Sequence, residues 1–232
     1  MPYLEVNLDP FISLEELVHA PLTNPLNLLS YVESIGVAGV SFTYRKNVNL
    51  VTDISTLRSM TGCRLNVRVP ADAETIQKVL QIKPDMITII NPESADNTLE
   101  IHSKDIKVLV NTILDNQDLG LALRIQPKIK LLKEAYKLGV DEVEIATNEL
   151  SKEETHKGFL VVLEKITHTI RIAIKNNLRV SIGGDLNQRI IAALNEVVDV
   201  EFLSVGKALL SQSLITGFES ALRELMELVE KN

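Results

Sequence analysis

"AYKLGVDEVEIAT" (residues 135–147) reads as the end of a helix, a glycine, and then a strand. Gly139 suits the left-handed residue that stops a helix, and Val143 and Ile145 alternate with Glu142 and Glu144 as strand residues do. "YVESIGVAGVSFTY" (31–44) repeats the form around Gly36, and the unit recurs about every 29 residues. Strands are predicted over 4–8, 39–44, 64–69, 86–91, 120–125, 142–147, 179–184 and 201–206. Between them, apolar spacings of three and four predict helices over 24–35, 71–82, 103–116 and 127–138, with Pro25 and Pro127 in first turns. A single long helix is expected over 151–177 and another over 211–230. Eight βα units in 232 residues predict an α/β fold, a closed (β/α)8 TIM barrel with room for extra helices, as one domain over 1–232. An open doubly wound sheet is the rival and would usually use fewer strands.

Parallel strands covered by helices on both faces should be nearly continuous apolar runs. These alternate instead. Asn7 and Asp9 share one parity on the first segment, Ser41, Thr43 and Arg45 on the second, Asn66 and Arg68 on the third. Arg124 and Gln126, Glu142 and Glu144, Ser181 and Gly183, and Ser204 and Gly206 continue the pattern. Successive strand residues face opposite sides, so in a barrel the polar set is expected to line the lumen, toward the C-terminal mouth where such barrels place their sites. Arg45, Arg68 and Arg124 against Asp9 and Glu144 give a mildly positive lumen, which suits an anionic ligand. For any single arginine an internal ion pair with Asp9 or Glu144 is the competing reading.

"RVSIGGDLN" (179–187) and "EFLSVGKAL" (201–209) both end a strand on glycine. A frequent phosphate site in (β/α)8 proteins follows strands seven and eight. Gly183, Gly184 and Gly206 let backbone N–H groups approach an oxyanion, a nearby helix start adds its positive end, and Lys207 adds a point charge. Tight strand-to-helix turns are the alternative use of these glycines. "SVGKAL" is not a nucleotide P-loop, because Ala208 stands where the hydroxyl is required.

Composition narrows the field. The net charge is −7, aromatic residues are 4% and tryptophan is absent, which argues against a nucleic-acid surface. The acidic start "MPYLEVNLDP" lacks the basic flank of a signal peptide, and no stretch is apolar enough for a membrane span, so a cytoplasmic protein is expected. Cys63, the single cysteine, cannot form an internal disulfide and reads as core. Histidines 19, 102, 156 and 168 have no metal-site spacing, and no metal site is expected.

Taken in order, "VNLDPFISL" (6–14), "GVSFTYRKN" (39–47), "TD" (52–53), "RLNVRVP" (64–70), "IKPDMITIINPE" (82–93), "GVDEVEIATN" (139–148), "RVSIGGDLN" and "LSVGKALL" (203–210) resemble the pyridoxine 5′-phosphate synthase family over almost the whole chain. The resemblance implies a cytoplasmic, octameric (β/α)8 transferase with added helices. It would condense 1-deoxyxylulose 5-phosphate with 3-amino-2-oxopropyl phosphate, releasing phosphate and water, with no metal or organic cofactor. The reactive positions depart from the family. Its Val-Asn-x-Asp-His keeps Asn7 and Asp9 but has Pro10, and a following arginine is Glu15. His-x-Arg-Glu-Asp becomes Thr43-Tyr44-Arg45-Lys46-Asn47, and Asn-x-Glu becomes Asn66-Val67-Arg68. Glu-x-His becomes Glu144-Ile145-Ala146, Gly-His-Gly becomes Gly183-Gly184-Asp185, and Gly-His becomes Gly206-Lys207. The lid after strand four, glycine-rich in the family, is the shorter "NPESADNTLEI" (91–101).

Ring-forming condensation needs several proton transfers by groups titrating near neutrality. With those histidines gone, the parent reaction is not expected, while the ligand class is: a small phosphorylated substrate or inorganic phosphate. Glu144 and Asp9 are the candidate acid/base groups. Asn7, Thr43, Arg45 and Arg68 are the candidate substrate contacts, and Gly183, Gly184, Gly206 and Lys207 the candidate phosphate cradle. A diverged enzyme on another sugar or triose phosphate and a non-catalytic binding or scaffold homologue are the alternatives. By the resemblance the partner is further copies of the chain.

Overall fold

The computed structural model describes residues 2–18, 25–45, 58–59, 61–101, 104–116, 118–195 and 199–230. Eight parallel strands close on themselves in sequence order: β1 (Tyr3–Asn7), β2 (Gly39–Thr43), β3 (Arg64–Pro70), β4 (Met86–Ile90), β5 (Gly120–Ile125), β6 (Glu142–Ala146), β7 (Arg179–Gly183) and β8 (Phe202–Val205). The register sets Val6 beside Val40 on one side and Val205 on the other, which joins the first strand to the last. The chain is therefore a (β/α)8 barrel, as the βα recurrence predicts.

Helices α1 (Asp9–Val18) and α2 (Pro25–Ile35) lie between β1 and β2, and α3 (Ala73–Leu80), α4 (Lys104–Leu114) and α5 (Ile129–Leu138) follow β3, β4 and β5. They are followed by α6 (Asn148–Lys152), α7 (His156–Lys175), α8 (Gln188–Asn195), α9 (Lys207–Thr216) and α10 (Phe218–Glu230). Apolar strand residues of one parity, such as Val6, Val40, Leu65, Val67, Leu123 and Val143, are fully buried beneath these helices. Gly139 ends α5 in the left-handed conformation and Gly36 follows α2 with positive φ, as the repeated Gly predicts. No helix among the described residues is long and apolar enough to cross a membrane.

Four details differ from the expectation. The stretch 151–177 is not one helix, because Glu153 is extended and Thr155 caps a new start by accepting from the Gly158 N–H. The last helix begins earlier, at Lys207, and breaks at Gly217, whose φ of 86° leaves the helical region. Helices α1 and α8 were not anticipated. Pro127 precedes α5 rather than entering its first turn, since Lys128 is the N-cap.

Candidate active site at the barrel mouth

The lumen is filled by polar side chains in two tiers. In the lower tier the Arg64 guanidinium lies 3.3 Å from Glu5 Oε2 and 2.9 Å from Glu142 Oε2, and stacks over the Phe202 ring at 4.0 Å. Asn66 donates to Glu5 at 3.1 Å and accepts from Thr88 Oγ1 at 2.8 Å. In the upper tier Glu144 Oε1 pairs with both Arg68 Nη2, at 3.1 Å, and Arg124 Nη1. Arg68 Nη2 also donates to Ser204 Oγ at 2.8 Å and reaches down to Glu5 Oε1 at 3.6 Å. All three glutamates are at most 2% exposed.

Their surroundings drive the two β6 carboxyls apart. Burial pushes Glu142 above the usual carboxylate range, and Arg64 offsets this only in part. Burial acts on Glu144 too, but Arg68 and Arg124 together overcome it and hold its carboxyl below that range. For Arg68 and Arg124, internal ion pairing is thus what the geometry shows, and three arginines meet three glutamates instead of leaving a cationic lumen. Glu5, Arg64 and Glu142 were missing from the charge count. Each shares its strand's inward parity with Asn7, Asn66 or Glu144, so the alternation carried the signal.

Above the upper tier, at the carboxyl ends of the strands, opens a cavity of about 190 Å³. Arg68, Arg124 and Ser204 form its floor. Asn7, Asp9 and Pro10 form one wall, and the 95–97 segment of the loop after β4 forms another. Asn148, Gly184, Asp185, Gly206 and Lys207 complete the rim. Arg68 Nε is buried and has no hydrogen-bond partner among the described residues.

Asp9 sits at the start of α1, just above β1. Its carboxylate accepts from the Thr43 N–H and the Thr43 hydroxyl, both at 2.7 Å, and its own N–H donates to Asn7 Oδ1 at 2.8 Å. Arg45 does not join this group. It lies two residues beyond the end of β2, turned to Glu16 at 3.1 Å and to Ser13, and is absent from the cavity lining. Lys46, Asn47 and the Thr52-Asp53 pair lie outside the described residues, as do His19 and His102. His156 and His168 are exposed on α7, away from the mouth.

Of the three glycines expected to cradle phosphate, Gly184 and Gly206 line the cavity, whereas Gly183 does not and packs against the upper tier; all three answer to close packing. A Cβ on Gly183 would stand 2.4 Å from Glu144 Oε1, and one on Gly206 would stand 2.8 Å from the Asn7 carbonyl oxygen. At Gly184, φ is +115° and a Cβ would meet Asn148 Oδ1 at 2.1 Å. Gly206 is also the N-cap of α9, and no side chain among the described residues caps that helix start. Lys207 Nζ donates to Asp185 Oδ1 at 2.8 Å, and Asn148 Nδ2 donates to Asp185 Oδ2 at 2.7 Å. Burial raises and these two donors lower the Asp185 pKa, with a net fall.

The loop after β4 is tied down over the mouth. The Asn91 N–H donates to the Asn97 carbonyl and the Thr98 N–H to Ser94 Oγ, while Arg124 Nε holds the Asp96 carbonyl at 2.8 Å. Lys152 reaches the Asp96 carboxylate at 3.4 Å. Asp96 and Asn148 were not anticipated as mouth residues. Neither sits on a strand, so no periodicity marks it.

Sequence and structural relatives agree with this architecture. The family described as "Pyridoxal phosphate biosynthesis protein PdxJ" matches residues 4–231. A protein of Geobacter sp. strain M21 named pyridoxine 5′-phosphate synthase is 26% identical over 237 residues, covering 99% of both chains. One of that name from Citrifermentans bemidjiense is likewise 26% identical, with the same coverage. The crystal structure of 3-keto-L-gulonate-6-phosphate decarboxylase from Vibrio cholerae superposes with a TM-score of 0.62 at 17% identity, over 99% of this chain and 98% of that one. Phosphoribosylanthranilate isomerase from Thermotoga maritima gives 0.60 at 9% identity over the whole of both chains. These two likenesses are of fold alone. The family match takes in every residue of the mouth described above, and the chain belongs to the PdxJ family.

Proposed function

We propose that this PdxJ-family barrel holds one small phosphorylated molecule, or inorganic phosphate, at its mouth and has lost the ring-forming condensation that the family resemblance implies. The observation that carries the binding half is the set of cations gathered at one cavity: Arg68, Arg124 and Lys207 all line it, and the two arginines of its floor share a single carboxylate, Glu144. Two guanidinium groups on one carboxylate carry more charge than it neutralises, and charge-assisted hydrogen bonds to a phosphate oxyanion suit that surplus. The uncapped start of α9 and the Lys207 ammonium stand on the same rim.

Size favours a single short ligand. The cavity of about 190 Å³ is below the roughly 300–1,000 Å³ of sites that take drug-sized molecules. A phosphate on two or three carbons suits it better than two condensing substrates. Chemistry points the same way. A general acid or base works best with a pKa near the operating pH. Glu144 is clamped by two arginines and held low, Asp9 is spent on Thr43, and Asp185 on Lys207 and Asn148. No described histidine reaches the cavity lining.

Calorimetric titration with inorganic phosphate and with dihydroxyacetone phosphate tests the binding half. Both are expected to bind, and Lys207→Ala to weaken them about tenfold, the worth of one charge-assisted hydrogen bond. Incubation at high enzyme concentration with the two family substrates is expected to yield no pyridoxine 5′-phosphate. Silent titrations, or product formed in that assay, would overturn the corresponding half.

A further inference from the structure

Asp185 follows Gly183 and Gly184 with φ of +51°, a left-handed conformation uncommon in residues other than glycine and tolerated best by Asn and Asp. That turn swings its carboxylate across the gap between the β7 and β8 loops. One oxygen takes the Lys207 ammonium at 2.8 Å, and the other takes the Asn148 amide N–H at 2.7 Å. Asn148 in turn accepts from Arg124 Nη2 at 3.3 Å through its Oδ1. Three donors of the rim and floor are thereby wired to one internal carboxylate.

The cavity lining carries Arg68, Arg124 and Lys207 against Asp9, Asp96 and Asp185. The acids are not equivalent. Asp9 is engaged by Thr43, and Asp96 faces Lys152. Asp185 alone of the three holds the donors that flank the Gly184 and Gly206 loops, where an anion would meet the uncapped start of α9.

We propose that Asp185 is a built-in counter-anion: its carboxylate occupies the Lys207 and Asn148 donors, and an incoming phosphate must displace it to bind. The inference rests on the anion-binding reading of the mouth. A bound phosphate and Asp185 are like charges seeking the same donors, so each weakens the other's hold. The depressed pKa of Asp185 agrees with a carboxylate already gripped by those donors. The consequence is selectivity. A single carboxylate offers Lys207 and Asn148 no more than Asp185 does, whereas a phosphate dianion brings a second charge and further oxygens for Arg68 and the α9 N–H groups.

The test is calorimetric titration of inorganic phosphate into the wild-type chain, Asp185→Asn and Asp185→Gly. Asparagine tolerates the left-handed backbone and keeps the size, and glycine removes the side chain while suiting φ best, so the two variants guard against misfolding at this turn. Both are expected to bind phosphate at least tenfold more tightly than wild type, with a larger phosphate-dependent rise in Tm. Affinity unchanged or weakened in both variants, while Lys207→Ala still weakens wild type, overturns the counter-anion and leaves the phosphate site standing. Phosphate bound by neither wild type nor variants removes the anion site itself, and the counter-anion with it.

Discussion

The two tiers of the lumen use the same residue types in opposite proportion. Below, one arginine, Arg64, serves two carboxylates, Glu5 and Glu142; above, one carboxylate, Glu144, serves two arginines, Arg68 and Arg124. Glu142 and Glu144 are two residues apart on one face of β6 and almost equally buried, yet their pKa values move in opposite directions. Burial pulls both up; Arg68 and Arg124, each hydrogen-bonded to Glu144, bring that carboxyl down, whereas at Glu142 the lowering by Arg64 and Arg179 does not overcome burial and Glu5 adds a like charge. The comparison also places the charge. The carboxylate surplus lies toward the amino-terminal ends of the strands, and the cation surplus lies directly beneath the mouth, the end where (β/α)8 proteins bind ligands.

Removing the upper carboxylate is the strongest way to break this comparison. Glu144→Gln leaves Arg68 and Arg124 buried, and among the described residues the one carboxylate still within ion-pair distance of either is Glu5, at 3.6 Å from Arg68. Breaking a buried pair by deleting one partner costs about 3–5 kcal/mol, so urea denaturation at pH 7 is expected to show a loss of that size. A loss under about 1 kcal/mol would mean that Arg68 and Arg124 do not depend on Glu144 as their buried counter-ion.

Glu142→Gln tests the lower tier and should cost far less. Arg64 keeps Glu5 and is 15% exposed, and the substitution also removes a carboxylate that burial disfavours. The expected change at pH 7 is within about 1 kcal/mol of wild type. The pH dependence separates the tiers more sharply. The folded pKa of Glu142 is raised, so as pH falls from neutral the folded chain takes up that proton before the unfolded chain does, and the group's contribution to stability rises. Wild type should therefore gain on Glu142→Gln as pH drops toward the ordinary carboxylate range. Glu144 behaves oppositely. Its folded pKa is depressed, so its contribution is complete above the ordinary range and is lost as pH falls through the folded value. Parallel stability curves for wild type and Glu142→Gln between pH 7 and 5 would show that the two carboxyls do not differ in this way.

Much of this was legible in the sequence, and the limit of legibility is physical. The eight strands were marked by short β-branched runs and repeated glycines, and the lumen by an alternation that holds wherever the backbone is extended. Arg68, Arg124 and Glu144 lie within strands, and parity placed them correctly. The alternation loses its meaning where a strand stops. Asp9 stands beyond β1 in a helix and reaches the mouth only because α1 starts at once. Asn148 and Asp96 owe their positions to a short helix and a self-bonded loop, which carry no periodic mark. The Asp185–Lys207 contact joins residues 22 apart through the meeting of two loops, which the closed barrel dictates and local pattern does not.

Arg45 sharpens that lesson and gives the smallest effect. It shares the parity of Ser41 and Thr43, but β2 ends at Thr43, and two residues later the side chain turns out to Glu16 instead of in to the lumen. The two partners are 33% and 45% exposed, so water screens the pair and holding it costs side-chain entropy. Arg45→Ala is therefore expected to change stability by about 0.5 kcal/mol or less, against several for Glu144→Gln. It should also leave phosphate titrations unchanged, where Lys207→Ala weakens them. A loss of phosphate affinity in Arg45→Ala would place the guanidinium in the binding site after all, and the end of a strand would then no longer mark where parity stops placing side chains.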